Sequence, residues 1–155
     1  MCLNAANKRF RKVAMYGSTL ALPVFQEAET LFQKRILIIE DDTAICKVVQ
    51  ISLSKLGGYD VLDALSGQEG LAIAEREHPD AIVLDLGMPG MDGFEVLKRL
   101  QANPFTQSIP VVFLTANAAQ VNRRAVAPEG MVGIISKPFD VLTLSNQIAA
   151  ACGWT

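Results

Sequence analysis

A chain of 155 residues, half of them apolar and with a formal net charge of −2, can bury one core of ordinary domain size with some chain left over. The sequence pI near 5.4 argues against direct contact with nucleic acid, which calls for a basic surplus. No apolar run is long enough for a membrane-spanning helix. The cysteines, Cys2, Cys46 and Cys152, stand apart with no C-x-x-C spacing, so neither a disulfide framework nor a zinc site is indicated and a reducing cytosol fits.

Taken in chain order, residues 1–33 come first and read as an extension. "KRFRK" (8–12) followed by "VAMYGSTLALPVF" (13–25) has the charge and length profile of a signal peptide, with only "TLA" (19–21) to serve as a cleavage site. Val24, Phe25, Ala28, Leu31 and Phe32 follow helical spacing, which predicts a short helix after a poorly ordered basic stretch.

From residue 35 onward, short apolar runs alternate with helical patterns. The strand candidates are "RILIIE" (35–40), "YDVLDA" (59–64), "DAIVLD" (80–85), "IPVVFLT" (109–115) and "MVGIIS" (131–136). Several are apolar without alternation, as parallel strands buried on both faces are. Between them fall "TAICKVVQISLSKL" (43–56), which stops at Gly57-Gly58, and a helix that opens with the capping box Ser66 to Glu69 and ends before His78-Pro79. "GFEVLKRLQA" (93–102) follows, then a weaker helix from Ala118 to Val126 with Asn117 as N-cap and Pro128 as stop. The last, "DVLTLSNQIAAAC" (140–152), is predicted to start at a capping Asp140. Five such β-α units imply a doubly wound α/β domain over residues 34–153, with a parallel sheet and helices on both faces.

In such sheets function collects at the carboxyl ends of the strands. Strand 1 ends in Glu40, Asp41 and Asp42, strand 3 in Asp85, strand 4 in Thr115, and strand 5 runs into Lys137-Pro138. Any one of these, taken alone, reads as a turn or cap residue. Together they would converge on one edge, and two like charges about 4 Å apart repel by about 4 kcal/mol at an effective dielectric of about 20. The acids therefore need a lysine or a hard divalent cation, and Mg²⁺ suits a site with one or two carboxylates that leaves positions for water and phosphate. Acids, lysine and hydroxyl are the parts needed for phosphoryl transfer to a carboxylate.

"RILIIEDD", "DAIVLDLGMPGMDGFEVL", "VVFLTA" and "GIISKPF", in that order, resemble the receiver (response regulator) domain of two-component signalling across residues 34–153. The ending "KPFDVLTLSNQIAAACGW" is similar to that of stand-alone receivers common in cyanobacteria. The resemblance implies a flavodoxin-like fold with strand order 2-1-3-4-5. It also implies that Asp85 accepts a phosphoryl group from a histidine kinase or histidine phosphotransfer protein. Asp41 would bind Mg²⁺ directly, with Asp85 and the carbonyl of Gly87, and Glu40 would act through water. Thr115 would hydrogen-bond the phosphoryl oxygen and Lys137 would pair with it, while Asp42, one place past the acidic pair, caps the first helix. The implied protein is a cytoplasmic signalling module that changes its binding to a protein partner. It is not an enzyme turning over an external substrate, touches neither nucleic acid nor membrane, and is expected to have no DNA-binding domain after Trp154. Export would part it from its kinase, so residues 1–33 are expected to be a cytosolic extension or an over-extended start, outside the phosphorylation machinery.

Other classes fit less well. A phosphatase of the haloacid dehalogenase type wants a second acid two places past the nucleophile, where Gly87 stands, and a purely structural pseudo-receiver would not need Asp41, Asp85, Thr115 and Lys137 intact. Two departures from the family pattern leave phosphorylation itself intact and bear on how it is transmitted. Ile134 replaces the usual aromatic residue three positions before the strand-5 lysine, and Gly87 offers no side chain to influence water attack on a phosphoaspartate. His78, at a helix end away from the acids, is read as an exposed terminus, and Trp154 as an apolar anchor.

Overall fold

The computed structural model describes residues 33–122 and 127–154. The expectations for residues 1–32, and for residues 123–126 at the end of the fourth helix, lie outside the described residues. Five strands, β1 (Arg35–Ile39), β2 (Asp60–Ala64), β3 (Ala81–Asp85), β4 (Val111–Thr115) and β5 (Met131–Ser136), form one sheet in the order β2-β1-β3-β4-β5. Every neighbouring pair is parallel. This is the expected flavodoxin-like doubly wound α/β fold.

The strands read as unbroken apolar runs because successive side chains go to opposite faces and both faces are covered. Leu37, Ile39, Ile82, Leu84, Val111 and Phe113 pack on one side with Ala74, Val96, Leu97, Leu100 and Val121. Ile36, Ile38, Val83, Val112 and Leu114 pack on the other with Cys46, Val49, Leu53, Leu144 and Ile148. The helices supplying those residues are α1 (Thr43–Ile51) with the helical turn Ser52–Leu56 that continues it, α2 (Gly67–Glu77), α3 (Gly93–Ala102), α4 (Ala118–Asn122) and α5 (Leu144–Ala151).

Their starts are set by local chemistry. Asp42 Oδ1 accepts from the N–H groups of Ala44 and Ile45 at 2.9 and 3.1 Å, and Asp92 Oδ1 accepts from Glu95 N–H at 2.9 Å. Ser66 Oγ accepts from Glu69 N–H at 3.2 Å, while the Glu69 carboxylate accepts from Leu65 N–H at 3.0 Å. The bonds from Ala44, Ile45, Glu69 and Glu95 satisfy amides that an α-helix leaves without internal partners, and the one from Leu65 ties down the residue before the Ser66 cap. His78 ends α2 in the left-handed region at φ 47°, exposed as expected. Trp154 is half-buried against Tyr59, ring centroids 5.6 Å apart, and Lys34 Nζ lies 5.4 Å from its ring centre.

The structure departs from the pattern in two helices. The first keeps its predicted extent but changes character, since α1 gives way to a π-helical turn over Ser52–Leu56, where Gly57 N–H reaches the Ser52 carbonyl at 3.0 Å. The last begins later than Asp140. The Asp140 carboxylate accepts from Leu142 N–H at 2.9 Å, closing a turn over residues 141–143 before Leu144 enters the core and the α-helix starts.

Candidate functional site

Strand order places the topological switch point between β1 and β3, because the chain leaves β1 for β2 on one side and returns to β3 on the other. The crevice of such a sheet opens there, beyond the carboxyl ends of the strands. Glu40 directly follows β1 and Asp85 is the last residue of β3. Both are buried, at 1% and 5% exposure.

A carboxylate oxygen from each of Glu40, Asp41 and Asp85 lies within 4.8 Å of the others. From the far edge of the sheet, Lys137 Nζ donates to Glu40 Oε2 at 2.9 Å and to Asp85 Oδ1 at 3.2 Å. Burial pushes the Glu40 carboxyl above its usual range, and the Lys137 hydrogen bond opposes that shift without cancelling it. Burial alone would lower the Lys137 pKa, but the hydrogen bonds and charges of Glu40 and Asp85 outweigh it and raise the ammonium. Three acids against one lysine leave the cluster negative, and an all-oxygen donor set of this kind could hold a hard divalent cation.

The remaining predicted residues fall around this cluster. Thr115, at 3% exposure, ends β4 and accepts from Asn117 N–H through Oγ1 at 3.0 Å. Its carbonyl accepts from Lys137 N–H at 2.8 Å, so the lysine leaves β5 tied to the threonine's strand. Gly87 N–H donates to Asp85 Oδ1 at 3.1 Å. A Cβ at Gly87 would meet only that Asp85 oxygen, at 3.8 Å, so the space over the carboxylate is open. The Asp42 carboxylate is turned to the start of α1, which it caps. Asn117, expected as a side-chain cap, bonds through its backbone, its carbonyl accepting from Gln120 N–H at 3.1 Å.

Two further features carry no local signal in the sequence. An apolar recess of about 530 Å³, lined by Ile45, Val48, Phe139 and Val141 among others, opens beside Lys137. Ser52 is fully buried and its hydroxyl donates to the Val141 carbonyl at 2.6 Å. Both join α1 to the β5–α5 loop, elements more than eighty residues apart, which local sequence patterns do not register.

Fold and site together define a doubly wound five-stranded α/β domain with acids, hydroxyl and lysine gathered at its switch point. The chain belongs to the response regulator receiver domain family, which matches residues 36–149. It is similar to the DNA-binding dual master transcriptional regulator RpaA of a Synechocystis strain, with 41% identity over 116 residues covering 75% of this chain and 48% of that protein. It thus spans about half the length of that curated relative. An uncharacterised 14.6 kDa protein of Leptolyngbya boryana is 34% identical over 124 residues, which cover 80% of this chain and 94% of that one.

Among solved structures, chemotaxis protein CheY4 of Vibrio cholerae superposes with a TM-score of 0.71 at 28% identity, over 77% of this chain and 98% of that one. The receiver domain of a Pseudomonas aeruginosa sensor histidine kinase has a magnesium ion coordinated in its active site cleft. It superposes with a TM-score of 0.69 at 30% identity, over 78% of this chain and 98% of that one.

Proposed function

We propose that Asp85 is a phosphoacceptor, taking a phosphoryl group from the phosphohistidine of a kinase or phosphotransfer protein. The observation that carries this reading is the convergence on Asp85 of two further acids and a lysine that bonds it directly. In the transfer, an Asp85 carboxylate oxygen attacks phosphorus, the bond to the donor's imidazole nitrogen breaks, and the imidazole leaves with the bonding pair. Lys137 pairs with a phosphoryl oxygen in place of the contact it now makes to the bare carboxylate, and the Thr115 hydroxyl donates to another. The chain's own contribution is thus a fixed nucleophile and charge placed where the phosphoryl oxygens come to lie.

The oxygen donors of the cluster fit Mg²⁺. Asp41, Asp85 and the Gly87 carbonyl would hold it, with Glu40 acting through water. Bound there, the ion supplies positive charge that offsets the acids and the incoming phosphoryl group. The apolar recess beside Lys137 offers a protein donor a surface next to the nucleophile. The phosphorylated domain then changes its binding to a protein partner.

We place the receiver at residues 34–153 and residues 1–33 outside its machinery, and read the protein as cytoplasmic. No helix among the described residues is long and apolar enough to cross a membrane.

Intact mass after incubation with acetyl phosphate tests the reading. Wild type with Mg²⁺ gains one phosphoryl group, while Asp85→Asn with Mg²⁺ and wild type in EDTA gain none. Uptake by Asp85→Asn would overturn the assignment of the acceptor.

A further inference from the structure

The apolar period of α1 puts Cys46 and Val49 into the core and continues to Leu53 in the turn that follows, yet beside Leu53 stands a serine at zero exposure. A buried hydroxyl is tolerated only when it is hydrogen-bonded. Serines in helices commonly satisfy themselves on a carbonyl one turn back. Ser54 does this, donating to the Gln50 carbonyl at 2.7 Å. Ser52 instead reaches across the domain to the Val141 carbonyl at 2.6 Å, a contact spanning 89 residues of sequence. It also opens the π-helical turn Ser52–Leu56, a local irregularity of the kind often found where a helix serves a function.

Val141 lies four residues beyond Lys137, in the loop between β5 and α5. One end of that loop is held where Lys137 N–H meets the Thr115 carbonyl at 2.8 Å. Phe139, in its middle, packs against the cluster that contains Cys46, Val49 and Leu53. The Ser52 hydroxyl supplies a directional anchor on the other side.

We propose that Ser52 is a positioning residue, whose bond to Val141 fixes the β5–α5 loop on α1 and so sets where the Lys137 ammonium stands against Asp85. The inference rests on the reading of Asp85 as phosphoacceptor with Lys137 as its partner, and deepens it. Because Ser52 acts through Lys137, its effect exists only while the lysine is present.

A double-mutant cycle on the full chain tests this, with the rate of Asp85 phosphorylation by acetyl phosphate and saturating Mg²⁺ as readout. Ser52→Ala slows uptake roughly 3- to 10-fold, the scale of one hydrogen bond. The same substitution made in Lys137→Ala produces no further slowing. Where circular dichroism shows Ser52→Ala to be unfolded, Ser52→Cys, which puts a slightly larger and weaker donor in the hydroxyl's place, carries the same comparison. Equal slowing in both backgrounds, or no slowing in either, overturns the tether while leaving the phosphoacceptor reading intact. A Lys137→Ala protein that takes up phosphate at the wild-type rate overturns the lysine's role and the tether with it.

Discussion

Lys137 and Glu40 lie 97 residues apart in sequence and 2.9 Å apart in space, closer than Lys137 stands to Asp85. Their side chains are 17% and 1% exposed, so the lysine is the main charge holding a buried acid in place. Removing one partner of a buried pair leaves the other uncompensated, at a cost of about 3 kcal/mol. Lys137→Ala should therefore be destabilised by roughly that amount in urea unfolding without metal. Millimolar Mg²⁺ should restore a larger share of stability to the variant than it adds to wild type, because the ion replaces the missing charge. An equal Mg²⁺ effect on both proteins would mean the lysine and the metal do not share the same acids.

The same pair makes a pH prediction. The folded-state pKa of Lys137 is raised above its ordinary value of 10.5. A group shifted in that direction stabilises the fold fully below its unfolded pKa, and the contribution is lost as pH rises through the folded one. Tyr59, whose pKa burial also raises from 10.0, acts in the same direction. The difference between wild type and Lys137→Ala isolates the lysine and should shrink as pH climbs past 10.5. A difference that stays constant into that range would show the ammonium gains nothing from its partners.

Two glycines flank the Asp85 loop for opposite reasons. A Cβ on Gly93 would press on backbone, 2.7 Å from the Asp85 carbonyl and 2.9 Å from Leu86 Cα, whereas one on Gly87 has open space around it. Gly93→Ala should lose about 1–3 kcal/mol of stability, the usual scale of overpacking, and, with Asp85 as the proposed acceptor, should slow phosphorylation by moving the end of β3. Gly87→Ala should unfold with the wild-type midpoint. Thermal melts of the two variants decide the matter.

What could be read in the sequence was whatever declares itself locally. β3 and β4 show as unbroken apolar runs because both their faces are covered, and Asp85 and Thr115 show as the polar residues where those runs stop. Ser66 gave a correct helix start because Glu69 stands three places on and engages in return. Asp140 looked equally good but has Thr143 at that place, and its carboxylate closes a turn instead. The π turn at Ser52, its bond to Val141 and the preference of Lys137 for Glu40 are tertiary outcomes. They arise between segments brought together only by the sheet, and no periodicity encodes them.

The adjacent acids Asp41 and Asp42 should separate cleanly on mutation. Asp42 Oδ1 takes two helix amides, so Asp42→Ala should lose about 1 kcal/mol of stability, the usual worth of such a cap, and keep its Mg²⁺ affinity. Asp41 belongs to the acidic cluster, so Asp41→Ala should weaken Mg²⁺ at least about tenfold, the equivalent of one lost charge-bearing ligand on the scale of about 1.4 kcal/mol per decade. Calorimetric titration beside urea unfolding reads both, and equal Mg²⁺ losses would place Asp42 in the cluster as well.

The last prediction concerns how phosphorylation is transmitted. Ile134 pairs in register with Phe113, a fully buried residue whose ring already meets Phe94 edge-on with centroids 5.5 Å apart. The aromatic ring at this level of the sheet thus belongs to β4 and not to β5. Isoleucine, β-branched and stiff at χ1, has no polar tip to exchange between water and a buried partner. A switch needs contacts that differ between its two states, and Thr115 has one to give. Its Oγ1 now accepts from Asn117 N–H, the residue before α4. Turning the hydroxyl toward a phosphoryl group on Asp85 would break that bond and release the start of the helix. Hydrogen exchange should therefore quicken at residues 116–122 on phosphorylation. The change should vanish in Thr115→Ala, where the Asn117 amide has already lost its acceptor, and persist in Ile134→Val. Loss of the change in Ile134→Val with retention in Thr115→Ala would make strand 5 the switch and overturn this account.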